Sequence, residues 1–173
     1  MKNAIHTQYT LRRWQAGDEP ALVKYANNHQ IFQNLTDDFP YPYDWKAAES
    51  WIKLCETEIN PTTFAIELNQ EAIGGIGIVL GRGIRRRTAE IGYWLGEPFW
   101  NQGIMTAVVK EMCGYTFNNF DIHRLVATVF EYNHASMKVL EKVGFVLEAI
   151  LKQNTTKNNK MWDDHIFVKF STK

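Results

Sequence analysis

Apolar residues along this chain recur sometimes every second position and sometimes every third or fourth, and the switches between the two periods lay out the elements. Thr7–Trp14 alternates as a strand, with Tyr9, Leu11 and Arg13 on one side and Thr10, Arg12 and Trp14 on the other. Asp18, Glu19 and Pro20 supply a cap, an early acid and an early proline for a helix running to about Asn27. Asn34–Tyr43 (NLTDDFPYPY) is a loop dense in turn formers and aromatics. Asp44 is placed to cap a second helix, in which Trp45, Ala48, Trp51, Ile52, Cys55 and Ile59 keep helical spacing. Phe64–Leu68 and Ala72–Leu80 read as strands joined through Asn69, Gln70 and Glu71. A loop with Arg82, Arg85, Arg86 and Arg87 leads into the strand Thr88–Leu95, and a helix opens at Gly103 and runs to about Phe117. Arg124–Phe130 is a β-branched, apolar strand, followed by a helix from His134 to Val143 closed by Gly144. Phe145–Leu151 and His165–Phe170 close the chain as strands around a polar loop, KQNTTKNNK. The predicted order is β-α-α-β-β-β-α-β-α-β-β, a single α+β domain over residues 1–173 with a mixed sheet covered by helices.

Composition narrows the function classes. With 45% hydrophobic and 22% charged residues, the 173-residue chain has the make-up of a globular domain. Nineteen basic and nineteen acidic residues cancel, which removes the case for direct nucleic-acid or membrane-surface binding. The opening MKNAIHTQYTLRRW has no apolar signal segment, and a cytoplasmic location is expected. The two cysteines, Cys55 and Cys113, make no metal spacing and read as reduced core thiols. His6, His29, His123, His134 and His165 make no ligand set, so no metal is expected. Gly75-x-Gly77 lacks the third glycine of a dinucleotide fingerprint, and neither a P-loop nor a GxSxG elbow occurs.

Chemistry concentrates in two segments, Ala89–Met105 (AEIGYWLGEPFWNQGIM) and Asn133–Phe145 (NHASMKVLEKVGF). A glycine-bearing turn that feeds a helix presents free N–H groups and a positive dipole end, which suits a phosphate. Asn101, Gln102, Gly103, Ile104, Met105 and Thr106 form that turn, and Gly103 keeps side chains out of the way. Gly92 in mid-strand fits a bulge or the close approach of a ligand. Asn133 is both an N-cap and an amide able to hold a ligand.

Together the two segments resemble the acyl-coenzyme A site of the GNAT N-acetyltransferase superfamily. They are most similar to its RimJ/RimL-like branch, with the pattern EIGYWL–x–WxxGxxT followed by NxxSxxxxEKxGF. The superfamily turn reads Arg/Gln-x-x-Gly-x-Gly/Ala; Trp100 and Met105 depart from it here. The resemblance implies a twisted sheet with a V-shaped splay between Thr88–Leu95 and Arg124–Phe130. It implies acetyl-CoA as co-substrate, with its pyrophosphate on residues 101–106 and its pantetheine arm along the backbone of Tyr93, Trp94 and Leu95. It implies that Asn133 and Ser136 complete that coenzyme site, with Lys138 either reaching the phosphates or standing as an exposed helical lysine. The acetyl group goes to a primary amine, on a protein N-terminus or a small molecule, by direct attack in a ternary complex. Many superfamily enzymes protonate the leaving thiolate with a tyrosine four residues after the Ser136 position; Leu140 stands there, so the resemblance implies Ser136 as the acid.

An acceptor amine is largely protonated at neutral pH, with α-amines titrating near ~8 and lysines near ~10.4, so a base is needed. Glu90 is the candidate, either as base or as a strand-end residue paired with one of Arg85–Arg87, with Glu67 and Glu97 as rivals. Phe39, Tyr41 and Tyr43 read as the acceptor-side wall or as a plug at a core edge. Two other readings stay open, a non-catalytic acyl-CoA-binding sensor and a subunit that pairs with its own copy. A monomer and a homodimer are equally compatible with the pattern.

Overall fold

The computed structural model describes residues 9–172. Its strands are β1 (Thr10–Arg12), β2 (Thr63–Leu68), β3 (Glu71–Leu80), β4 (Thr88–Leu95), β5 (Arg124–Phe130), β6 (Val146–Lys157) and β7 (Lys160–Phe170). The helices are α1 (Glu19–Ala26), α2 (His29–Phe32), α3 (Trp45–Glu56), α4 (Ile104–Asn119) and α5 (His134–Val143). The strands form one mixed sheet in the order β1-β2-β3-β4-β5-β7-β6, and β4/β5 is its parallel pair.

Alternation assigns the faces. Phe64, Ile76 and Tyr93 are cross-strand neighbours, and Phe64 meets Tyr115 of α4 edge-on at 5.0 Å. This is the α4/α5 face. Gly75 and Trp94 pair on the other face, where Trp14 packs edge-on against Trp51 of α3 at 6.5 Å. Leu22, Ala26, Ala48 and Ile52 fill that side, and Val108, Val109 and Met112 of α4 fill the first. Burying two sheet faces this way is the main source of stability in such a domain.

The sequence reading is corrected at four places. The segment read as the polar loop KQNTTKNNK is strand: β6 and β7 run on to a two-residue turn at Asn158 and Asn159, both left-handed at φ 54° and 58°. Asn tolerates that conformation, and Thr155, Thr156 and Trp162 carry the ladder up to it. A one-turn helix, α2, was not anticipated; Asn28 caps it by accepting from Gln30 N at 2.7 Å. The helix α3 stops at Glu56, and Ile59 lies beyond it at 90% exposure. Strand β1 is shorter than Thr7–Trp14, and Thr7 lies outside the described residues, as does His6.

What positions the site is a failure of pairing. Strands β4 and β5 match only at Thr88–Arg124, Ala89–Leu125 and Glu90–Val126. Past Glu90 the two strands part, and the sheet opens as a V toward their C-terminal ends.

Candidate active site

The V holds a cavity of about 580 Å³. Its walls include Ile91, Gly92, Tyr93, Trp94 and Leu95 from β4, Ala127, Thr128 and Val129 from β5, the start of α4, and Asn133, Ser136 and Lys138 of α5. Residues from both faces of both strands line it, so the cavity passes through the sheet. On the α1/α3 side its wall is α2 and the residues after it, Gln30, Ile31, Asn34 and Leu35.

The gap-facing backbone of β4 can be read from its ladder. Gly81 N donates to Thr88 O at 2.8 Å and Gly96 N to Ile73 O at 2.8 Å. With the continuous register of β3 and β4, this makes Trp94 and Gly92 the residues hydrogen-bonded to β3. The peptide groups of Tyr93 and Leu95 therefore face the V. Trp100 Nε1 takes the Leu95 carbonyl at 2.6 Å, which fastens the following turn to the strand end. The Trp94 backbone is thus committed to β3, and what Trp94 offers the cavity is its ring. That ring packs over Gly75, where a Cβ would lie 2.9 Å from Trp94 Nε1. The pairing passes Gly92 without a bulge, and the space beside its Cα is open.

At the head of α4, Gly103 is the N-cap at φ +81° with open space where a Cβ would stand, and Asn101 is also left-handed at φ 59°. No side chain caps this helix, so the first-turn N–H groups of Ile104, Met105 and Thr106 meet the cavity with the dipole behind them. Gln102 is turned away: its amide donates to Pro98 O at 2.9 Å. The charged side chains among the described lining residues are Lys138 and Lys142, both cationic. An anion fits this end of the cavity. Among the described residues no group of His, Cys, Asp and Glu could hold a metal ion.

On the opposite wall, Asn133 Oδ1 accepts from Ser136 N at 3.2 Å and caps α5. Ser136 Oγ lies 2.8 Å from Tyr93 Oη. Burial pushes the Tyr93 hydroxyl up to about 12.

A family model described as "Acetyltransferase (GNAT) domain" matches residues 8–146, well over half of the chain. The chain belongs to the GNAT acetyltransferases. YjcK of Bacillus subtilis (strain 168), named as a probable N-acetyltransferase, is 43% identical over 79 residues, covering 46% of this chain and 43% of that protein. The chain spans about half the length of the curated relatives it matches first, 43% of YjcK and 55% of YoaA from the same organism. A GNAT-family acetyltransferase structure from Bacillus anthracis superposes with a TM-score of 0.82 at 19% identity, over 94% of this chain and 95% of that one. RimL, a ribosomal L7/L12 alpha-N-protein acetyltransferase solved with coenzyme A, superposes with a TM-score of 0.79 at 25% identity, over 96% of both chains. The seven-stranded sheet with its splayed parallel pair is the GNAT fold.

Within this GNAT domain, other expected residues lie off the cavity. Glu90 is exposed at the crotch of the V, on the face of Gly92 and Trp94, and is not among the lining residues. It forms no ion pair with the arginine loop among the described residues; Arg87 pairs with Asp121 at 3.0 Å. Its rivals are engaged elsewhere, Glu67 with Arg12, and Glu97 with Asn28 at 2.7 Å and Gln30 at 3.1 Å. The aromatic side chains of the 34–43 loop do not line the cavity, which takes Asn34 and Leu35 from the start of that loop. Tyr43 is core, 3% exposed against Phe39; Tyr41 stacks on Phe32 at 5.1 Å; and Phe39 reaches the cavity only through Trp94, at 6.0 Å. Lys157 of β6 pins this loop by pairing with Asp37 at 2.5 Å and lying 3.6 Å over the Phe32 ring.

Proposed function

We propose that this GNAT chain is an acetyl-CoA-dependent N-acetyltransferase acting on a primary amine, with both substrates bound together and the amine attacking directly. The observation that carries this reading is the cavity through the sheet. A thioester can enter from the α4/α5 face and an amine from the α2 face, and the two meet between β4 and β5. The pyrophosphate rests on the amides of Ile104, Met105 and Thr106, with Lys138 and Lys142 nearby. The pantetheine arm extends the sheet along the peptide groups of Tyr93 and Leu95, as an added strand would. A Tyr93 or Leu95 N–H is placed to meet the thioester oxygen as it gains charge. Asn133 holds the arm, and Ser136 protonates the departing thiolate. Holding the two reactants in one geometry supplies much of the acceleration.

The lining supports one acceptor class over another. Among the described lining residues there is no carboxylate, so a polycation finds no counter-charge in the cleft. A single α-amine, as on a peptide N-terminus or an amino acid, fits the neutral amides of Gln30 and Asn34 better. The likeness to RimL leans the same way. Glu90 takes the ammonium proton through water from its place at the crotch. A second reading, coenzyme binding without turnover, is favoured by one observation, the exposure of Glu90 outside the lining.

The test is calorimetric titration with acetyl-CoA and with CoA, followed by thiol release with N-terminal peptides, amino acids and polyamines. Micromolar binding with release on an α-amine is expected. A folded protein that binds neither coenzyme overturns the proposal, and binding without release on any amine turns it to the sensor.

A further inference from the structure

The cleft holds a second hydroxyl next to that of Ser136. Tyr93 reaches from β4 across to α5 and places Oη 2.8 Å from Ser136 Oγ, its hydrogen-bond partner among the described residues. The two residues are 43 apart in the chain, brought together only by the packing of α5 beneath the open part of β4. Either hydroxyl can be the donor in this contact. Burial keeps the Tyr93 hydroxyl protonated across the neutral range. A desolvated O–H needs an acceptor, and Ser136 Oγ is the one within reach. The arrangement in which Tyr93 donates and Ser136 accepts satisfies the buried phenol. Ser136 is half-buried and lines the cavity, so its own proton is left to point into the cleft.

We infer that Tyr93 is the positioning residue for Ser136: its phenol donates to Ser136 Oγ, aims the serine proton at the leaving sulfur and steadies the oxygen as that proton departs. This rests on the reading of Ser136 as the acid of acetyl transfer. The attacking nitrogen bonds the acetyl carbon as the C–S bond breaks, and the sulfur takes the proton of Ser136. The charge left on Oγ is met by the Tyr93 O–H, which keeps its own proton; the second amine proton leaves the nitrogen as the amide forms and returns through water to Ser136. The proton shed earlier by the acceptor ammonium passes to solvent, so one proton is released per ammonium acetylated. Leu140, one turn along α5, is fully buried and offers no hydroxyl. In this chain the phenol comes from the facing strand instead, and it acts through the serine.

The experiment compares the native chain with Tyr93→Phe, Ser136→Ala and the double variant, reading kcat by thiol release, acetyl-CoA affinity by calorimetry, and Tm. Expected is a kcat lower by on the order of tenfold for Tyr93→Phe, part of the ~10²–10⁴-fold typical of acid–base catalysis, with affinity held within twofold. Because the two groups act as one, the double variant is no slower than Ser136→Ala. Losses that multiply in the double variant, or an unchanged kcat in Tyr93→Phe beside an impaired Ser136→Ala, overturn the inference alone. An unchanged Ser136→Ala removes the acid reading and the inference with it. Should Tyr93→Phe not fold, 3,5-difluorotyrosine at position 93 keeps the ring and the donor while lowering the phenol pKa. The alkaline limb of kcat then moves to lower pH, and an unmoved limb overturns the inference.

Discussion

Gly103→Val separates backbone strain from coenzyme binding. Gly103 caps α4 at φ +81°, and a Cβ there would meet no protein atom within 4 Å. The cost to the fold is therefore conformational. A left-handed L-residue costs roughly 1–2 kcal/mol, which in a domain of this size lowers Tm by about 2–8 °C. The cost to the coenzyme is separate, because the branched side chain stands over the first-turn amides. Each hydrogen bond to a charged group contributes about 1.5–3 kcal/mol. Losing two removes about 3–6 kcal/mol, and with tenfold per 1.4 kcal/mol the affinity falls roughly 10²–10⁴-fold. Calorimetry with acetyl-CoA reads the second effect and a thermal melt the first. Gly17, at φ +100° and also free of contacts within 4 Å, is not among the residues lining the cleft, so Gly17→Val serves as the control. It shows the same melt penalty and native affinity. A Gly103→Val protein that melts as forecast yet binds acetyl-CoA within threefold of the native chain refutes the pyrophosphate reading.

Further outcomes follow from other parts of the site and core. Ser136→Ala and Glu90→Gln each lower turnover by roughly 10²-fold at unchanged coenzyme affinity; native turnover in both removes the acid and base roles. Gly75→Ala drives a methyl to 2.9 Å from Trp94 Nε1 and 3.0 Å from Trp14 Cζ2. Such overpacking costs about 1–3 kcal/mol, and a native melting curve contradicts the close contact. Burial pushes the Cys113 thiol from 9.0 up to about 11. The folded state therefore holds this proton more tightly than the unfolded chain. The stabilisation is full below about pH 9 and is lost as pH rises toward 11. A Cys113→Ala variant flattens this limb of the stability profile, and an unchanged limb shows another group to be its source.

The strands, the long helices and the turn at Gly103 are legible in the sequence because their signals are local. Alternation marks β2 to β5, and Gly103 before an apolar helix marks the turn. What escapes is either too short or too distant to leave a pattern. The helix α2 has four residues, less than two turns of any period, yet with its flank it supplies a cavity wall. The aromatic loop shows only that its rings are clustered; which of them faces a cavity depends on Trp94, Phe32 and Lys157, from three other elements. The β6–β7 turn was readable in principle, since Asn158-Asn159 between β-branched and aromatic residues is a hairpin signal, but the surrounding polarity of Lys157 and Lys160 masks it. The Tyr93–Ser136 contact spans 43 residues, and no spacing rule reaches that far. Glu90 illustrates the converse: its position in the strand is legible, but its side chain's exposure is set by where β5 diverges.

Because the cavity perforates the sheet, it opens on both faces. The α2 side is framed by Gln30, Ile31, Asn34 and Leu35, a short stretch that shares no residue with the Gly103 turn or with α5. Under the proposed function, acceptor choice and acyl chemistry are housed in separable parts of the chain. Under that same proposal, exchanging a handful of residues around α2 changes amine specificity while leaving the Gly103 turn and the Tyr93–Ser136 pair untouched. Within one scaffold, the recognition of one partner can drift while the handling of the other stays fixed.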